Sequence, residues 1–206
     1  MTTRICLSGV FGVLIMLAPA SYAERNETAI FASGCFWCTE KDFESVPGVT
    51  SAVSGYIGGH VDNPGYRQVS AGVTGHAEAV LVTYDPDKVS YADLLKVYWY
   101  SVDPFAKDKQ FCDTGTQYRS AIFYQDSRQQ VLALESLSAL KLKHKITKKI
   151  QTEIVPGSKF WEAEDYHQDY YKKNPVRYQF YRFNCGRDQR LETLWGEMAG
   201  WKPGTD

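Results

Sequence analysis

Short apolar runs bounded by turn residues alternate along the chain with stretches of helical character. The short runs predict strands at residues 29–32, 78–84, 119–124 and 150–155. Capping residues and apolar spacing predict helices over residues 39–44, after Ser90, after Asp126-Ser127 and over about 163–172, ending before Asn174-Pro175. This mixture of elements predicts an α/β or α+β fold built as a pair of packed layers.

The first 23 residues have the pattern of a secretory signal peptide. A basic start at Arg4 is followed by an apolar stretch over residues 5–17 and by small residues around Ala23. The stretch is short for a bilayer core of about 30 Å, which favours cleavage after Ala23 over a retained membrane anchor. We therefore expect a periplasmic or secreted protein with no membrane attachment after cleavage, and one catalytic domain over residues 24–206.

The charge pattern excludes one class of partner. The 206-residue chain has 23 Lys and Arg against 24 Asp and Glu, and the basic residues are scattered. The sequence has no basic stripe of the kind that binds a phosphate backbone, so nucleic acid is not an expected partner.

The segment Gly34-Cys35-Phe36-Trp37-Cys38 carries the most informative chemistry, because it places two thiols between a predicted strand and a predicted helix. At a helix N-terminus, free N–H groups and the helix dipole stabilise a thiolate. We therefore expect the pKa of Cys35 to lie below the usual value of about 8.5. Such a cysteine is a candidate nucleophile.

Cys112 and Cys185 are the other two cysteines beyond the signal segment. In an oxidising compartment, four cysteines allow two structural disulfides in three connectivities. A chain of this length can bury a core without disulfides, and a CxxC motif at a helix start is more typical of redox chemistry. A redox role is therefore favoured over a purely structural one.

Glu78 lies on a predicted strand whose two faces are both largely apolar. Val80, Val82 and Tyr84 share its face, because side chains alternate along a strand. Burial there would raise the pKa of the Glu78 carboxyl and keep it protonated near neutral pH. The alternative is an exposed Glu78 at the end of the strand, paired with a surface cation.

Four motifs stand in order along the chain. They are Gly34-Cys35-Phe36-Trp37 and residues 55–59, 75–80 and 115–120. Together they closely resemble the peptide methionine sulfoxide reductase A family, from about Phe31 to residues 166–168. The resemblance implies an α+β fold, a two-layer α/β sandwich with a central mixed sheet, flanking helices and long loops. It implies reduction of the S epimer of methionine sulfoxide, in proteins or as the free amino acid, with no metal and no bound cofactor.

The resemblance also implies a role for each matched residue. The implied catalytic residues are Cys35 as nucleophile, Glu78 as acid, Tyr66 and Tyr118 as donors to the sulfoxide oxygen, and Asp113 as their polar support; the implied substrate-binding residues are Phe36 and Trp37, an apolar wall for the methyl group. A thiolate attacks a sulfoxide sulfur only if the oxygen is protonated as charge develops there. A nucleophile and a neutral acid must therefore flank one S=O group.

Recycling requires a second thiol, because the attack leaves Cys35 as a sulfenic acid that condenses to a disulfide. The family's resolving cysteine generally lies in a mobile C-terminal tail, which favours Cys185 as first resolver. Cys38 is a competing resolver and stands where a glycine is usual, whereas Cys112 is an extra thiol suited to a second exchange step. A thioredoxin-like reductant is implied, and we expect the chain to act as a monomer.

Two other functions remain open from the sequence. A general thiol-disulfide oxidoreductase would use Cys35 and Cys38 as its pair and would need little from Glu78. A binding module for oxidised or aromatic ligands would not need Cys35 at all. A metal site is disfavoured, because His76 and His167 lack the close spacing of zinc ligands and are expected to be structural hydrogen bonders.

Overall fold

The computed structural model describes residues 26–204, so the predicted signal segment at residues 1–23 lies outside the described part of the chain. The strands are β1 (Glu27–Ser33), β2 (Val49–Ile57), β3 (Ala77–Tyr84), β4 (Lys109–Gln110), β5 (Asp113–Thr114), β6 (Ser120–Tyr124), β7 (Glu153–Pro156) and β8 (Trp161–Glu162). The helices are α1 (Phe36–Glu44), α2 (Tyr66–Ser70), α3 (Tyr91–Trp99), α4 (Ser127–Lys143), α5 (Tyr170–Lys173), α6 (Pro175–Asn184) and α7 (Arg187–Trp195). Between residues 26 and 204, no helix has both the length and the apolar character needed to cross a bilayer.

Six strands form one mixed sheet in the order β7-β6-β1-β3-β2-β8, and β4 pairs with β5 in a small separate hairpin. β1 runs antiparallel to both β3 and β6, whereas β6 and β7 are parallel. The sheet with its flanking helices confirms the expected α+β fold. β1 and β3 lie at its centre, and these are the strands that lead into Cys35 and carry Glu78.

The alternation of side chains along β1 explains how the two faces of the sheet are covered. Phe31 belongs to the larger core beneath the helices, whereas Ile30 and Ala32 belong to a smaller core on the opposite face. The Phe31 ring stacks on Phe43 of α1 with centroids 4.7 Å apart. Each fully buried side chain of this size contributes about 1.5–3 kcal/mol to folding, so these contacts fix α1 against the sheet.

Capping hydrogen bonds confirm the helices that were predicted after Ser90 and after Asp126-Ser127, which are α3 and α4. The Asp93 N–H donates to Ser90 Oγ at 3.1 Å and the Ser90 N–H donates to Asp93 Oδ2 at 3.1 Å, which satisfies two amides that the helix itself leaves unpaired. Asp126 likewise caps α4 by accepting from the Gln129 N–H at 2.8 Å. The strands predicted at residues 78–84 and 119–124 agree with β3 and β6 to within one residue.

The helix predicted over residues 163–172 is wrong. The Ala163 N–H donates to the Ser54 carbonyl at 2.9 Å, and the Gln168 side chain bonds both the N–H and the carbonyl of Ser54. These bonds hold the segment against the edge of β2, so helix α5 begins only at Tyr170. The strand predicted from residue 150 is shorter than expected and begins at Glu153.

The C-terminal segment, which the resemblance implied to be a redox tail, is helical. Pro175 occupies the first turn of α6, where its missing N–H and fixed φ suit a helix start. Tyr178 of α6 and Leu191 and Trp195 of α7 are buried, so both helices pack against the rest of the fold. Cys185 therefore lies at the end of an ordered helix.

Candidate active site

A tight turn after β1 sets the position of Cys35. Gly34 has φ +88°, and a Cβ at this residue would lie 2.5 Å from the Cβ of Gln110. Only glycine tolerates both the conformation and the close approach. The turn makes Cys35 the N-cap residue of α1 and leaves it only 7% exposed.

Glu78 is buried, as the first of the two interpretations of its strand predicted. It is 2% exposed, on the face of β3 that lies beneath the helices, and its Oε2 accepts the Phe36 N–H at 3.0 Å. Burial raises the pKa of its carboxyl to about 8, and the negative charge of Asp113 acts in the same direction, although the Phe36 amide opposes both. Glu78 is therefore mostly a neutral acid at pH 7.

The expectation of a low pKa for Cys35 is wrong for the reduced protein. Burial raises the pKa of the Cys35 thiol, and the neighbouring Cys38 and Glu78 raise it further. The first amide of α1, that of Phe36, is donated to Glu78, so the helix start also supports the carboxyl. In contrast, the pKa of Cys38 is lowered to about 7, mainly because its thiol is hydrogen-bonded to that of Cys35.

One cavity gathers every predicted catalytic and substrate-binding residue. It has a volume of about 70 Å³ and is lined by Cys35, Phe36, Trp37, Tyr66, Glu78, Asp113, Tyr118 and Tyr181. Larger grooves of about 240 and 310 Å³ lie elsewhere on the surface, but neither is lined by Cys35 or Glu78. The small cavity is therefore the candidate site on chemical grounds.

The aromatic wall of the cavity is held rigidly. Trp37 stacks on Tyr170 of α5 with ring centroids 3.7 Å apart, and its Nε1–H donates to Nδ1 of His167 at 3.0 Å. His167 is buried, which lowers its pKa and keeps the ring neutral. Its Nδ1 must then be the acceptor, so the indole of Trp37 is fixed in one orientation.

The two tyrosines reach the cavity from separate loops. Tyr66 begins α2 and donates its backbone N–H to Glu164 Oε1 at 2.9 Å, whereas Tyr118 lies in a short 3₁₀ turn. Burial, followed by the charge of Glu78, raises the pKa of Tyr66 to about 12 and raises that of Tyr118 as well. Both hydroxyls are therefore neutral donors near pH 7.

Sequence reasoning did not identify three features of the site: Tyr181, Glu164 and the hydrogen bond from Trp37 to His167. The Tyr181 hydroxyl donates to Asp113 Oδ2 at 2.5 Å, which closes the polar side of the cavity with a residue from α6. The sequence does carry a signal for Tyr181. Pro175 can begin a helix, and residues four apart on a helix share a face, so Tyr181 is expected on the same face as the candidate resolver Cys185. Glu164 has no comparable signal, since its partners are distant in the chain: it accepts from the Tyr66 N–H at 2.9 Å and from the Tyr56 hydroxyl at 2.8 Å.

The four described cysteines fall into two pairs. Cys112 and Cys185 form a disulfide with sulfur atoms 2.04 Å apart, and Cys112 is exposed. Cys35 and Cys38 carry free thiols and are both buried. Cys185, favoured from the sequence as the first resolver, is therefore bonded to Cys112 and not to Cys35 in this oxidation state.

Both ring nitrogens of His76 are occupied by structural hydrogen bonds. His76 Nδ1 accepts the Gly59 N–H at 3.1 Å and its Nε2 lies 2.7 Å from the Val61 carbonyl. The sulfur atoms of Cys112 and Cys185 lie close to the Asp113 carboxylate, but they are bonded to each other. A metal would compete with that disulfide for the same two sulfur atoms.

The sequence and the fold are both similar to those of known proteins. Residues 27–199 match the family model described as peptide methionine sulfoxide reductase. The chain is 46% identical over 193 residues to peptide methionine sulfoxide reductase MsrA 2 of Caulobacter vibrioides, covering 93% of this chain and 97% of that protein. It is 47% identical over 185 residues to the MsrA/MsrB protein of Vibrio cholerae, covering 90% of this chain but 49% of that protein, so it spans about half of that relative. Among solved structures, methionine sulfoxide reductase A of Corynebacterium diphtheriae is 37% identical with a TM-score of 0.70, covering 73% of this chain and 76% of that one.

Proposed function

The chain belongs to the peptide methionine sulfoxide reductase A family and is an oxidoreductase that reduces methionine sulfoxide to methionine, and we propose that it acts on the S epimer through a sulfenic acid at Cys35. The observation that carries this proposal is the single small cavity lined by Cys35, Glu78, Tyr66 and Tyr118. A nucleophilic sulfur, a neutral acid and two hydroxyl donors surround one space, as attack on a polarised S=O group requires.

In the proposed reaction, the Cys35 sulfur attacks the substrate sulfur, and its thiol proton passes to the Glu78 carboxylate that remains once Glu78 has protonated the sulfoxide oxygen. Glu78 protonates the sulfoxide oxygen, and the hydroxyls of Tyr66 and Tyr118 stabilise the charge that develops on it. The oxygen is transferred to Cys35, so methionine leaves and a sulfenic acid remains. The oxidised substrate is thereby reduced by two electrons, and Cys35 is oxidised by two.

The geometry also supports a choice between epimers. Phe36 and Trp37 contribute apolar rings to the lining of the cavity, and Glu78, Tyr66 and Tyr118 contribute a carboxyl and two hydroxyls. A sulfoxide sulfur is chiral, so a site that holds oxygen on the polar side and methyl on the apolar side accepts one epimer. Protein-bound methionine sulfoxide is the proposed substrate class.

The sulfenic acid is resolved by a second thiol, for which Cys38 and Cys185 are the candidates, and a thioredoxin-like donor then reduces the disulfide. If Cys185 resolves it, Cys185→Ser retains the first release of methionine but loses donor-driven recycling. Unchanged recycling would assign the role to Cys38 or Cys112.

We also propose that the protein acts after export, as a monomer in the periplasm or outside the cell. The signal-like pattern of residues 1–23 supports export, and the Cys112–Cys185 disulfide is of the kind that persists in oxidising compartments. N-terminal sequencing of the protein from a cell fraction tests this point. A mature N-terminus at Glu24 is expected, and an intact Met1 in the cytoplasmic fraction contradicts it.

The activity itself is tested with the purified enzyme, a dithiol reductant and peptides that carry each epimer of methionine sulfoxide separately. We expect methionine from the S epimer at a rate at least a hundredfold above that from the R epimer. Equal turnover of both epimers, or turnover of neither, contradicts the proposal.

A further inference from the structure

Tyr166 is an exposed aromatic residue that lies close to the candidate site. It is 57% exposed, and its ring centroid lies 4.2 Å from that of His167. The His167 ring in turn lies 4.3 Å from the ring of Tyr66 and 4.9 Å from that of Phe36, and both of these residues line the cavity. These four rings, which we call the ring cluster, therefore run from the wall of the cavity to the surface of the protein and end at Tyr166.

The backbone that carries Tyr166 is held in place. The next residue, His167, is buried, and its N–H donates to the Glu164 carbonyl at 2.8 Å. The Gln168 side chain bonds both the N–H and the carbonyl of Ser54 at the edge of β2. An exposed ring on a fixed backbone loses less conformational freedom on binding than a ring on a mobile loop, which favours the use of Tyr166 as a contact for a ligand.

The small volume of the cavity leaves most of a peptide substrate outside it. At about 70 Å³, the cavity is far smaller than the pockets of about 300–1,000 Å³ that enclose a whole ligand, so it takes only the end of one side chain. In an extended peptide, residues two positions apart share a face and are separated by about 6.5 Å. The rings of Tyr166 and Tyr66 are no further apart than the two steps through His167. A side chain two positions from methionine sulfoxide can therefore reach Tyr166.

The charges near Tyr166 do not favour a ligand of either sign. Desolvation raises the pKa of Tyr166, the Glu164 carboxylate raises it further, and Arg67 lowers it, so one acidic and one basic side chain act on the same ring. The Glu164 carboxylate is already engaged by the Tyr66 N–H and the Tyr56 hydroxyl. The exposed face of the ring is then the main feature available to a ligand, and apolar or aromatic side chains pack on such a face.

We propose that Tyr166 is a specificity-determining residue, which binds an aromatic or aliphatic side chain two positions from methionine sulfoxide in an oxidised protein. This inference rests on the proposed function, because it concerns the substrate of the same site. Methionine is often buried among apolar residues, and its oxidation disrupts protein cores, so damaged proteins expose such sequences. Free methionine sulfoxide has no neighbouring residue and makes no contact of this kind.

The test compares S-sulfoxide substrates that differ only away from the sulfoxide. Three pentapeptides with blocked ends carry methionine sulfoxide at the centre and serine on both sides of it. One has phenylalanine as its first residue, one has phenylalanine as its last residue, and one has serine at both ends. N-acetyl-methionine sulfoxide methylamide, which has no neighbouring side chain, is the reference substrate. Methionine formation in a single turnover, measured over a range of substrate concentrations, makes the result independent of the reductant.

For the unaltered chain, we expect one phenylalanine peptide to be reduced about fivefold more efficiently than the serine peptide, as one aromatic pair allows. The gain should lie in the half-saturating concentration and not in the maximal rate, because the contact is the same in the ground state and the transition state. Tyr166→Ala should abolish this preference and leave the reference substrate unaffected. Tyr166→Phe, which keeps the ring, should retain the preference.

Phe180→Ala is the matched control, because Phe180 is 73% exposed on α6 and does not belong to the ring cluster. It should retain the preference for the phenylalanine peptide. The inference is overturned if the unaltered chain shows no preference, if Tyr166→Ala keeps it or slows all substrates equally, or if Phe180→Ala abolishes it. A failure of the proposed function looks different, because no methionine would then form from the reference substrate either.

Discussion

Replacing Glu78 by glutamine removes the proposed acid while keeping the shape of its side chain. The Phe36 N–H can still donate to the amide oxygen of glutamine at the position where it now meets Glu78 Oε2 at 3.0 Å. The amide cannot protonate the sulfoxide oxygen, so the first step should slow by about 10²–10⁴-fold, the usual contribution of general acid catalysis. Binding of the substrate should change much less.

The pH dependence of the unaltered enzyme follows from the raised pKa of Glu78. With a pKa of about 8, about nine in ten of these carboxyls are protonated at pH 7 and about one in ten at pH 9. The acid-dependent part of the rate should therefore fall as the pH rises through about 8. In Glu78→Gln this fall should be absent.

The raised pKa of Glu78 also lowers the stability of the folded protein, so Glu78→Gln should increase stability while it decreases activity. The folded protein keeps a proton on Glu78 between the ordinary pKa of 4.5 and about 8, so this group makes the protein less stable as the pH rises through that window. At pH 7 the cost is about 3 kcal/mol, from two and a half pKa units at 1.36 kcal/mol each. Glutamine needs no such proton, so Glu78→Gln should unfold at a higher denaturant concentration than the unaltered chain at pH 7.

The assay is a quenched single turnover with an S-sulfoxide peptide, with denaturant unfolding run in parallel. Disulfide exchange with a small dithiol serves as a second activity, because a general thiol-disulfide oxidoreductase would not need Glu78. Sulfoxide reduction within threefold of the unaltered enzyme would refute the role of Glu78, and so would a retained fall in rate near pH 8 in Glu78→Gln.

Four further variants test the rest of the site and the outer disulfide. Tyr66→Phe and Tyr118→Phe should each lower the rate of methionine formation by about tenfold, or 1.4 kcal/mol, because each removes one hydroxyl donor to the developing charge; unchanged rates in single-turnover assays would contradict this. Trp37→Ala should lower kcat/KM for a peptide substrate by at least tenfold in steady-state kinetics, because the apolar wall is lost. A decrease of less than twofold would exclude a substrate-binding role for Trp37. The Cys112→Ser/Cys185→Ser double variant should lose about 2–4 kcal/mol of unfolding free energy in denaturant titrations, because the disulfide links residues 73 apart, and equal stability would show that it does not restrain the unfolded chain.

Local sequence predicts the parts of the site that depend on neighbours in the chain. Gly34 and Cys35 follow a short apolar strand directly, so their place at the start of α1 is readable from the motif. The burial of Glu78 could be expected in the same way, because its strand is apolar on both faces. These features depend on periodicity and turn chemistry within about ten residues.

Contacts between distant segments explain what the sequence could not predict. The Tyr181–Asp113 hydrogen bond and the Cys112–Cys185 disulfide join residues 68 and 73 positions apart, and no local pattern encodes either. The pKa of Cys35 was predicted in the wrong direction, because helix position alone does not reveal the burial and the neighbouring acid that raise it. Asn174-Pro175 indicated the end of one helix, yet the same proline begins α6.

The most direct test of the account is a single turnover of Cys35→Ser with an S-sulfoxide peptide, with methionine counted per enzyme. We predict none above the uncatalysed background, because no thiol sulfur then lines the cavity to receive the oxygen. Formation of one methionine per enzyme at the rate of the unaltered chain would contradict the central claim that the substrate's oxygen is transferred to the sulfur of Cys35.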